Sequence, residues 1–209
     1  MIALGVRSDV ELLAAWRDGD RDAAESLLDR HFAALCRFFR NKVDQGVEDL
    51  IQQTLLTCVE RRDRIPEAWS FRTFLFVVAR DQLYMHYRRG RRRLDVTQTS
   101  VADLSPGPST LIARRQEHTL MLEALRRLPL ETQVLLELRF WEGMTGPQLA
   151  QIHDVPEGTI RSRLRLAQAR LGEVLRTLAQ RRGIELGGDA DFDAWALEVR
   201  KDAGNSFSE

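Results

Sequence analysis

The sequence predicts an all-α protein made of two small helical domains joined by a flexible linker, and three observations carry that reading. Apolar residues recur at three- and four-residue steps along most of the chain, while the alternation of a half-buried strand is essentially missing. The periodicity lapses from Leu94 to about Ile112, where Ser105-Pro106-Gly107-Pro108-Ser109 has the composition of a tether. Beyond it a short apolar pattern, a tight turn and a longer pattern follow in the order of a helix-turn-helix. At 209 residues the chain has room for two domains of roughly 100 residues each. The expected divisions are a first helical domain over 1–93, a linker over 94–113, a helix-turn-helix domain over 114–183 and an acidic extension over 184–209.

The first helix opens at Ser8, whose side chain and Glu11 three residues on make a capping box, and it runs to Arg17 before Gly19 breaks it. Asp20 caps the second, with Ala24, Leu27, Leu28, His31, Leu35 and Phe38 on its apolar face. After Asp44-Gln45-Gly46, a third helix places Leu50, Ile51, Leu55 and Val59 inward and Asp49, Gln52 and Gln53 elsewhere. Arg61 to Trp69, interrupted by Pro66, reads as a loop. Ser70 then caps a long helix to about Arg89, with Phe71, Phe74, Leu75 and Val78 as its apolar stripe. Past the linker, Met121, Leu125 and Leu128 line a helix ended by Pro129, and Val134, Leu135 and Leu138 line another that stops near Gly143. A brief helix from Thr145 to His153 and the turn Asp154-Val155-Pro156 lead into the last one. Pro156 sits where a missing N–H costs nothing. In that last helix Ile160, Leu164, Ala167, Leu171, Val174 and Leu178 face inward, and Arg161, Ser162, Arg165 and Arg170 largely outward.

Composition narrows the function classes. Hydrophobic residues make up 44% and charged residues 30%, and no apolar run approaches the ~20 residues of a spanning helix. The N-terminus has no charged start and long apolar middle, so a cytoplasmic protein without a membrane partner is expected. The formal charge is zero but sorted. Arg88, Arg89, Arg91, Arg92 and Arg93 place five cations in six residues, and Arg161 to Arg182 carries seven arginines against the single acid Glu173. The acids gather at the two ends. Arginine outnumbers lysine, which stands only at Lys42 and Lys201, and its planar fork suits phosphate and guanine; a GC-rich genome accounts for the same bias.

The small first turn Pro156-Glu157-Gly158-Thr159 can approach a phosphate backbone, and its amides and dipole favour one. Together with Arg161, Ser162, Arg163 and Arg165 this makes the last helix a candidate for the major groove. On the long helix, Arg80, Tyr84, Tyr87, Arg88 and Arg91 form a basic and aromatic stripe, with Asp81 beside it. Such a stripe suits a separated strand whose bases stack on the rings, unless the tyrosines belong to the core. His31, His86, His118 and His153 are scattered, Cys36 and Cys58 have no metal-ligand spacing, and no phosphate loop occurs. No catalytic residue, metal or cofactor is expected.

These residues resemble the extracytoplasmic-function (ECF) sigma factors of bacterial RNA polymerase, over roughly residues 20 to 180. Val47-Glu48-Asp49-Leu50-Ile51-Gln52-Gln53-Thr54-Leu55-Leu56 is similar to the region 2.2 segment, and Ser70-Phe71-Arg72-Thr73-Phe74-Leu75-Phe76-Val77-Val78-Ala79-Arg80-Asp81 to the segment leading into the −10 reader. Leu128-Pro129, Gly143-Met144-Thr145, Leu149-Ala150 and Gly158-Thr159-Ile160-Arg161-Ser162-Arg163-Leu164 resemble region 4. The resemblance implies a non-enzymatic initiation subunit, monomeric when free. Asp49, Leu50, Gln52 and Gln53 would dock on the β′ clamp helices, and the β flap would be a second polymerase contact. Arg80, Asp81, Tyr84, Tyr87, Arg88, Arg89, Arg91, Arg92 and Arg93 would act at the −10 element. Gly158, Thr159, Arg161, Ser162, Arg163 and Arg165 would act at the −35 duplex, with an anti-sigma factor as a further partner. Asp81 replaces the asparagine usual in the family, and Leu166 and Gln168 stand where arginines are common, so the promoter sequence does not carry over. Two other arrangements account for part of the pattern: a sigma-like decoy that captures an anti-sigma factor, and a stand-alone helix-turn-helix regulator. Both arginine tracts are present, as the initiation factor requires.

The extension past Gly183 has two readings. Gly187-Gly188 and Gly204-Asn205-Ser206 suit an unstructured tail. Phe192 and Trp195 suit a short segment that docks on the chain's own domains, its acids competing with DNA.

Overall fold

The computed structural model describes residues 7–90, 94–104 and 116–184. Arg91, Arg92, Arg93, the Ser105–Ser109 tether and the acidic extension lie outside the described residues. The architecture is all-α. α1 (Asp9–Arg17), α2 (Arg21–Arg40), α3 (Val47–Glu60) and α4 (Phe71–Gly90) form the first domain. A single turn, α5 (Val101–Leu104), precedes α6 (Gln116–Arg126), α7 (Leu130–Phe140), α8 (Gly146–His153) and α9 (Glu157–Arg182).

Local chemistry sets the helix ends. The Glu11 carboxylate accepts from the Ser8 N–H at 2.7 Å, and the Glu11 N–H donates back to the Ser8 hydroxyl. Gly19 adopts φ 98°, a left-handed turn that lets α2 double back on α1. Asp20 Oδ1 accepts the Ala23 N–H at 3.0 Å, and Ser70 Oγ the Thr73 N–H at 3.0 Å. Between α3 and α4, a 3₁₀ turn at Arg62–Arg64 is held to α1 by Arg17, which donates to the carbonyls of Arg62 and Ile65.

The core of the first domain is aromatic. Trp16 meets Phe71 edge-on at 5.9 Å between centroids, and Phe38 lies 5.6 Å from Phe76. Phe71, Phe74, Leu75 and Val78 are buried as their spacing predicts. Val59, predicted to face inward, is instead exposed. It lies on the flank of the Leu50-Ile51-Thr54-Cys58 stripe that packs inward.

This core does not stop at the domain boundary. Leu130, Val134, Leu138, Met144, Leu149 and Ile152 belong to the same buried cluster, with α8 packed on α4 and α7 linked to the end of α2 through Glu137. A second cluster, with Leu125, Leu136, Trp141, Leu171 and Leu175, seals α6 and α7 onto α9.

The contact between the domains is also ionic. Arg37 of α2 reaches Glu142, just past α7, with Nε and Nη2 at 3.1 and 3.2 Å from its two oxygens, and Arg72 of α4 approaches the same carboxylate at 2.8 Å. Lys42 Nζ donates to Glu137, whose other oxygen accepts from Asn41 at 2.9 Å and Gln133 at 2.6 Å. Arg126 pairs with Asp44 and donates to the Asn41 carbonyl. Burial pulls the Lys42 ammonium below its ordinary pKa, and Glu137 offsets part of that.

Residues 94–104, expected within the flexible linker, are ordered against α7. Val96 and Val101 are buried, and the Val96 and Thr99 carbonyls accept the first free amides of α7, those of Glu131 and Leu130. Pro129 offers no side-chain cap to that helix, so the linker backbone supplies the missing partners.

Candidate nucleic-acid interface

α8 and α9 make the helix-turn-helix. Gln148 Oε1 accepts from the Thr145 N–H at 2.9 Å and from its hydroxyl at 3.1 Å, which fixes the start of α8. Asp154 closes α8 at φ 52°, a left-handed position that a short polar side chain tolerates. α9 then starts at Pro156 with no side chain capping its first amides.

The inner face of α9 is sealed by Ile160, Ala167, Leu171, Leu175 and Leu178. Its outer face carries Gly158, Arg161, Ser162 and Arg165, all exposed, with Thr159 half-buried beside them. Nothing lies within 4 Å of where a Cβ on Gly158 would stand, which leaves the first turn open to close backbone approach. Arg161 makes only a 3.3 Å pair with Glu157, four residues back. Ser162 donates to the Gly158 carbonyl at 3.2 Å. Arg163 turns aside to Glu131 at 2.6 Å, next to the buried His153. Among the described residues Arg165 has no hydrogen-bond or ion-pair partner, and it faces solvent.

On α4 the predicted stripe divides. Arg88 and Arg89 are exposed, as is Asp81. Tyr87 is a core residue, 8% exposed, with its hydroxyl donating to the Lys42 carbonyl, and so leaves the predicted stacking surface. Tyr84 is half-buried with its hydroxyl enclosed and without a partner, and burial raises its pKa well above the ordinary range. Arg80 crosses to the second domain, where it donates to the Ile152 carbonyl while holding Asp81 at 2.6 Å. A cleft of about 700 Å³, with Trp69 and Arg80 on one side and Pro156 and Glu157 on the other, separates α4 from the start of α9.

Of the predicted docking residues, Asp49, Gln52 and Gln53 line the exposed face of α3, whereas Leu50 is in the core. Leu56 extends that face at 53% exposure. The sequence reading missed it, although the three-residue step from Gln53 continues the same stripe. Met85, exposed one turn before Arg88 and Arg89, was missed likewise.

Cys36 and Cys58 are buried free thiols, and burial pushes Cys58 up to about 12, so neither is a ready nucleophile. Among the described residues no cluster of His, Cys, Asp and Glu could hold a metal ion, and no helix is long and apolar enough to cross a membrane.

Two buried histidines give the fold a pH dependence. Burial lowers the pKa of both His31 and His153 below the ordinary 6.5, against the opposing pull of Asp9 and Glu131. The folded state therefore prefers the neutral rings, and the unfolded chain takes up protons first. Stability from this source is full above about pH 6.5 and declines as pH falls toward the depressed folded values. The carboxylates add a second loss at lower pH. Glu131, held down chiefly by the neighbouring His153 ring 3.9 Å away, and Asp9, whose burial is outweighed by its Arg30 and His31 bonds, lose stabilisation below their ordinary 4.5 and 3.8. The melting temperature is expected to fall between pH 7 and pH 5, and the double variant His31→Gln, His153→Gln to show a flatter profile there. An unchanged slope in the variant would assign the dependence to other groups.

Residues 24–93 match the Sigma-70 region 2 family, and residues 118–171 match Sigma-70 region 4. The chain is 30% identical over 166 residues to the ECF RNA polymerase sigma factor RpoE of Cereibacter sphaeroides, covering 78% of this chain and 92% of that one. It is 30% identical over 176 residues to the ECF RNA polymerase sigma factor SigM of Mycobacterium tuberculosis, covering 81% and 85%. Its fold is shared with CnrH, solved in complex with the cytosolic domain of CnrY, at a TM-score of 0.60, 21% identity and coverage of 81% and 97%. The sigma factor RpoE of Bartonella quintana, solved with the anti-sigma factor NepR, shares it at 0.57, 23% identity and coverage of 73% and 96%. A helix-turn-helix with an open arginine-bearing face, a four-helix domain with a polar exposed face on α3, and relatives matched over most of their length agree: the chain belongs to the ECF sigma factors of RNA polymerase.

Proposed function

We propose that this chain is a cytoplasmic, non-enzymatic initiation subunit that joins RNA polymerase core and directs it to a particular set of promoters. The observation that carries this reading is the outer face of α9, where Gly158, Arg161, Ser162 and Arg165 are presented together while the opposite face is sealed in the core. Arg161, Ser162 and Arg165 read base edges of the −35 duplex, and Arg163 holds the backbone once it leaves Glu131. At the −10 element the readers are Asp81, Arg88 and Arg89, with the 91–93 arginines beyond them, and Tyr84 and Arg80 join when the α4–α8 contact opens. Asp49, Gln52 and Gln53 dock on the β′ clamp helices with Leu56 as an added apolar contact, and the second domain meets the β flap. An anti-sigma factor is the regulatory partner this class implies.

The two DNA-facing regions lie on different domains, and Arg80 is spent on the interface between them. Engagement of both elements therefore requires the domains to part, with polymerase and promoter supplying the differential binding that shifts the equilibrium.

Transcription by purified core polymerase on a genomic promoter library, with and without the protein, tests this reading. Addition is expected to start transcription from a sharply defined promoter set, and the Asp49→Ala, Gln52→Ala double variant to fold normally and support less of it. No gain of transcription, or full activity in that variant, would overturn the initiation or the docking assignment respectively.

A further inference from the structure

The basic face of α9 continues past the base-reading residues into a groove that no described residue fills. Its volume is about 420 Å³, and Leu166, Arg163 and Arg170 on one side face Glu131, Thr132 and Leu135 of α7, with Thr97 of the linker at the end; Glu131 is already taken by Arg163 at 2.6 Å. Leu166 is 65% exposed, an apolar side chain standing among arginines. Arg165, Arg170 and Arg176 are exposed and have no carboxylate partner within salt-bridge distance among the described residues. A large exposed apolar group beside three arginines that have no carboxylate partner suits an amphipathic, oppositely charged partner.

The chain carries such a partner at its own end. Residues 185–209 hold seven acids against Arg200 and Lys201, with Phe192, Trp195 and Leu197 as strong apolar anchors. Gly183, at φ 65°, ends the helix, and the Ile184 N–H donates to the Ala179 carbonyl at 3.0 Å, which turns the chain out of the helical path. Ile184 then packs on the second core. Seventeen residues of helix separate Leu166 from Gly183, a span of about 26 Å at the helical rise. An extended strand covers about 3.3 Å per residue, so Phe192 just reaches the groove from Ile184 and Trp195 reaches it with slack.

We propose that residues 185–209 fold back along α9, seating Trp195 beside Leu166 and setting Asp189, Asp191 and Asp193 against Arg165, Arg170 and Arg176. The tail and duplex DNA then compete for the same cations, and promoter binding has to displace the tail. The contact is intramolecular, so an effective concentration in the millimolar range sustains it even where the separate pieces bind weakly. The competition rests on the reading of α9 as a DNA-binding helix, whereas the docking itself does not.

The test separates the two. Full-length protein and its Phe192→Ser, Trp195→Ser variant, which is altered only outside the described helices, are titrated with a labelled duplex at low and high salt. In parallel, a fluorescent peptide of residues 185–209 is titrated into a chain ending at residue 184, which retains every helix described above, and into the same chain carrying Leu166→Ser. The peptide is expected to bind at low salt and to lose roughly tenfold with Leu166→Ser, and the full-length variant to bind duplex roughly tenfold tighter at low salt, the gap closing as salt screens the contact. Absence of peptide binding together with equal duplex affinity of both full-length proteins would overturn the docking while leaving DNA binding in place. Peptide binding without duplex binding by any form would overturn the competition and the DNA-binding reading, but not the docking.

Discussion

Replacement of Glu142 by alanine is expected to remove about 3–5 kcal/mol from the contact between the two domains, the scale for breaking a buried ion pair from one side. Glu142 is 3% exposed and answers two guanidiniums, those of Arg37 and Arg72. Arginine does not lose its proton inside a protein, so neither cation has a neutral form to retreat to. With residues 105–113 in the flexible linker that the sequence predicts, the molecule has a less costly response than unfolding, which is to separate and hydrate both arginines. Small-angle scattering should show a larger radius of gyration for Glu142→Ala than for the parent, and denaturant titration an early transition followed by one belonging to the helical domains. The triple replacement of Arg37, Arg72 and Glu142 by methionine, which removes every charge of this set, should close the molecule again. A compact Glu142→Ala protein melting as one unit with parental stability would show that the carboxylate contributes nothing to closure.

Arg165→Ala is expected to cost about 1–3 kcal/mol against one base pair of the −35 element and to relax the preference at that position. Arg165 is exposed on the outer face of α9, whereas Arg163 is committed to Glu131 and Arg161 leans on Glu157. An arginine without competing carboxylates is free to meet a guanine edge with both prongs of its fork. Arg88→Ala should behave differently, weakening binding on all sequences alike and lowering the salt slope by about 1. Affinity measured over a panel of single-base variants distinguishes the two. Equal loss on every −35 variant would make Arg165 a phosphate contact.

What could be read in the sequence was what depends on near neighbours. The Ser8–Glu11 box, the Asp20 and Ser70 caps, the turn at Asp154 and the inward stripe of α9 are decided within a few residues of chain, and the structure has each of them. The outward set Arg161, Ser162 and Arg165 follows from the same helical period. What escaped depends on partners far away. Tyr84 and Tyr87 share a basic stripe and look alike in sequence, yet Tyr87 is buried with its hydroxyl on the carbonyl of Lys42, forty-five residues earlier. Arg37 and Glu142 are 105 residues apart, and no local pattern pairs them. Leu50 belongs to the core on the side of α3 that packs against α2 and α4, while its neighbours Asp49 and Gln52 stay uncovered. In the linker, Val96 and Val101 were too isolated to register as periodic, although α7 buries both.

The carbonyls of Val96 and Thr99 decide where one promoter-reading module ends and another could begin. A domain exchanged between two such factors at the Ser-Pro-Gly tether would arrive with the Leu130 and Glu131 amides bare and the Val101 site empty, since the residues that serve them lie on the other side of the cut. The portable unit starts at residue 94. Chimaeras joined there should keep the thermal stability of the parent's second domain, and chimaeras joined at 114 should fall short of it.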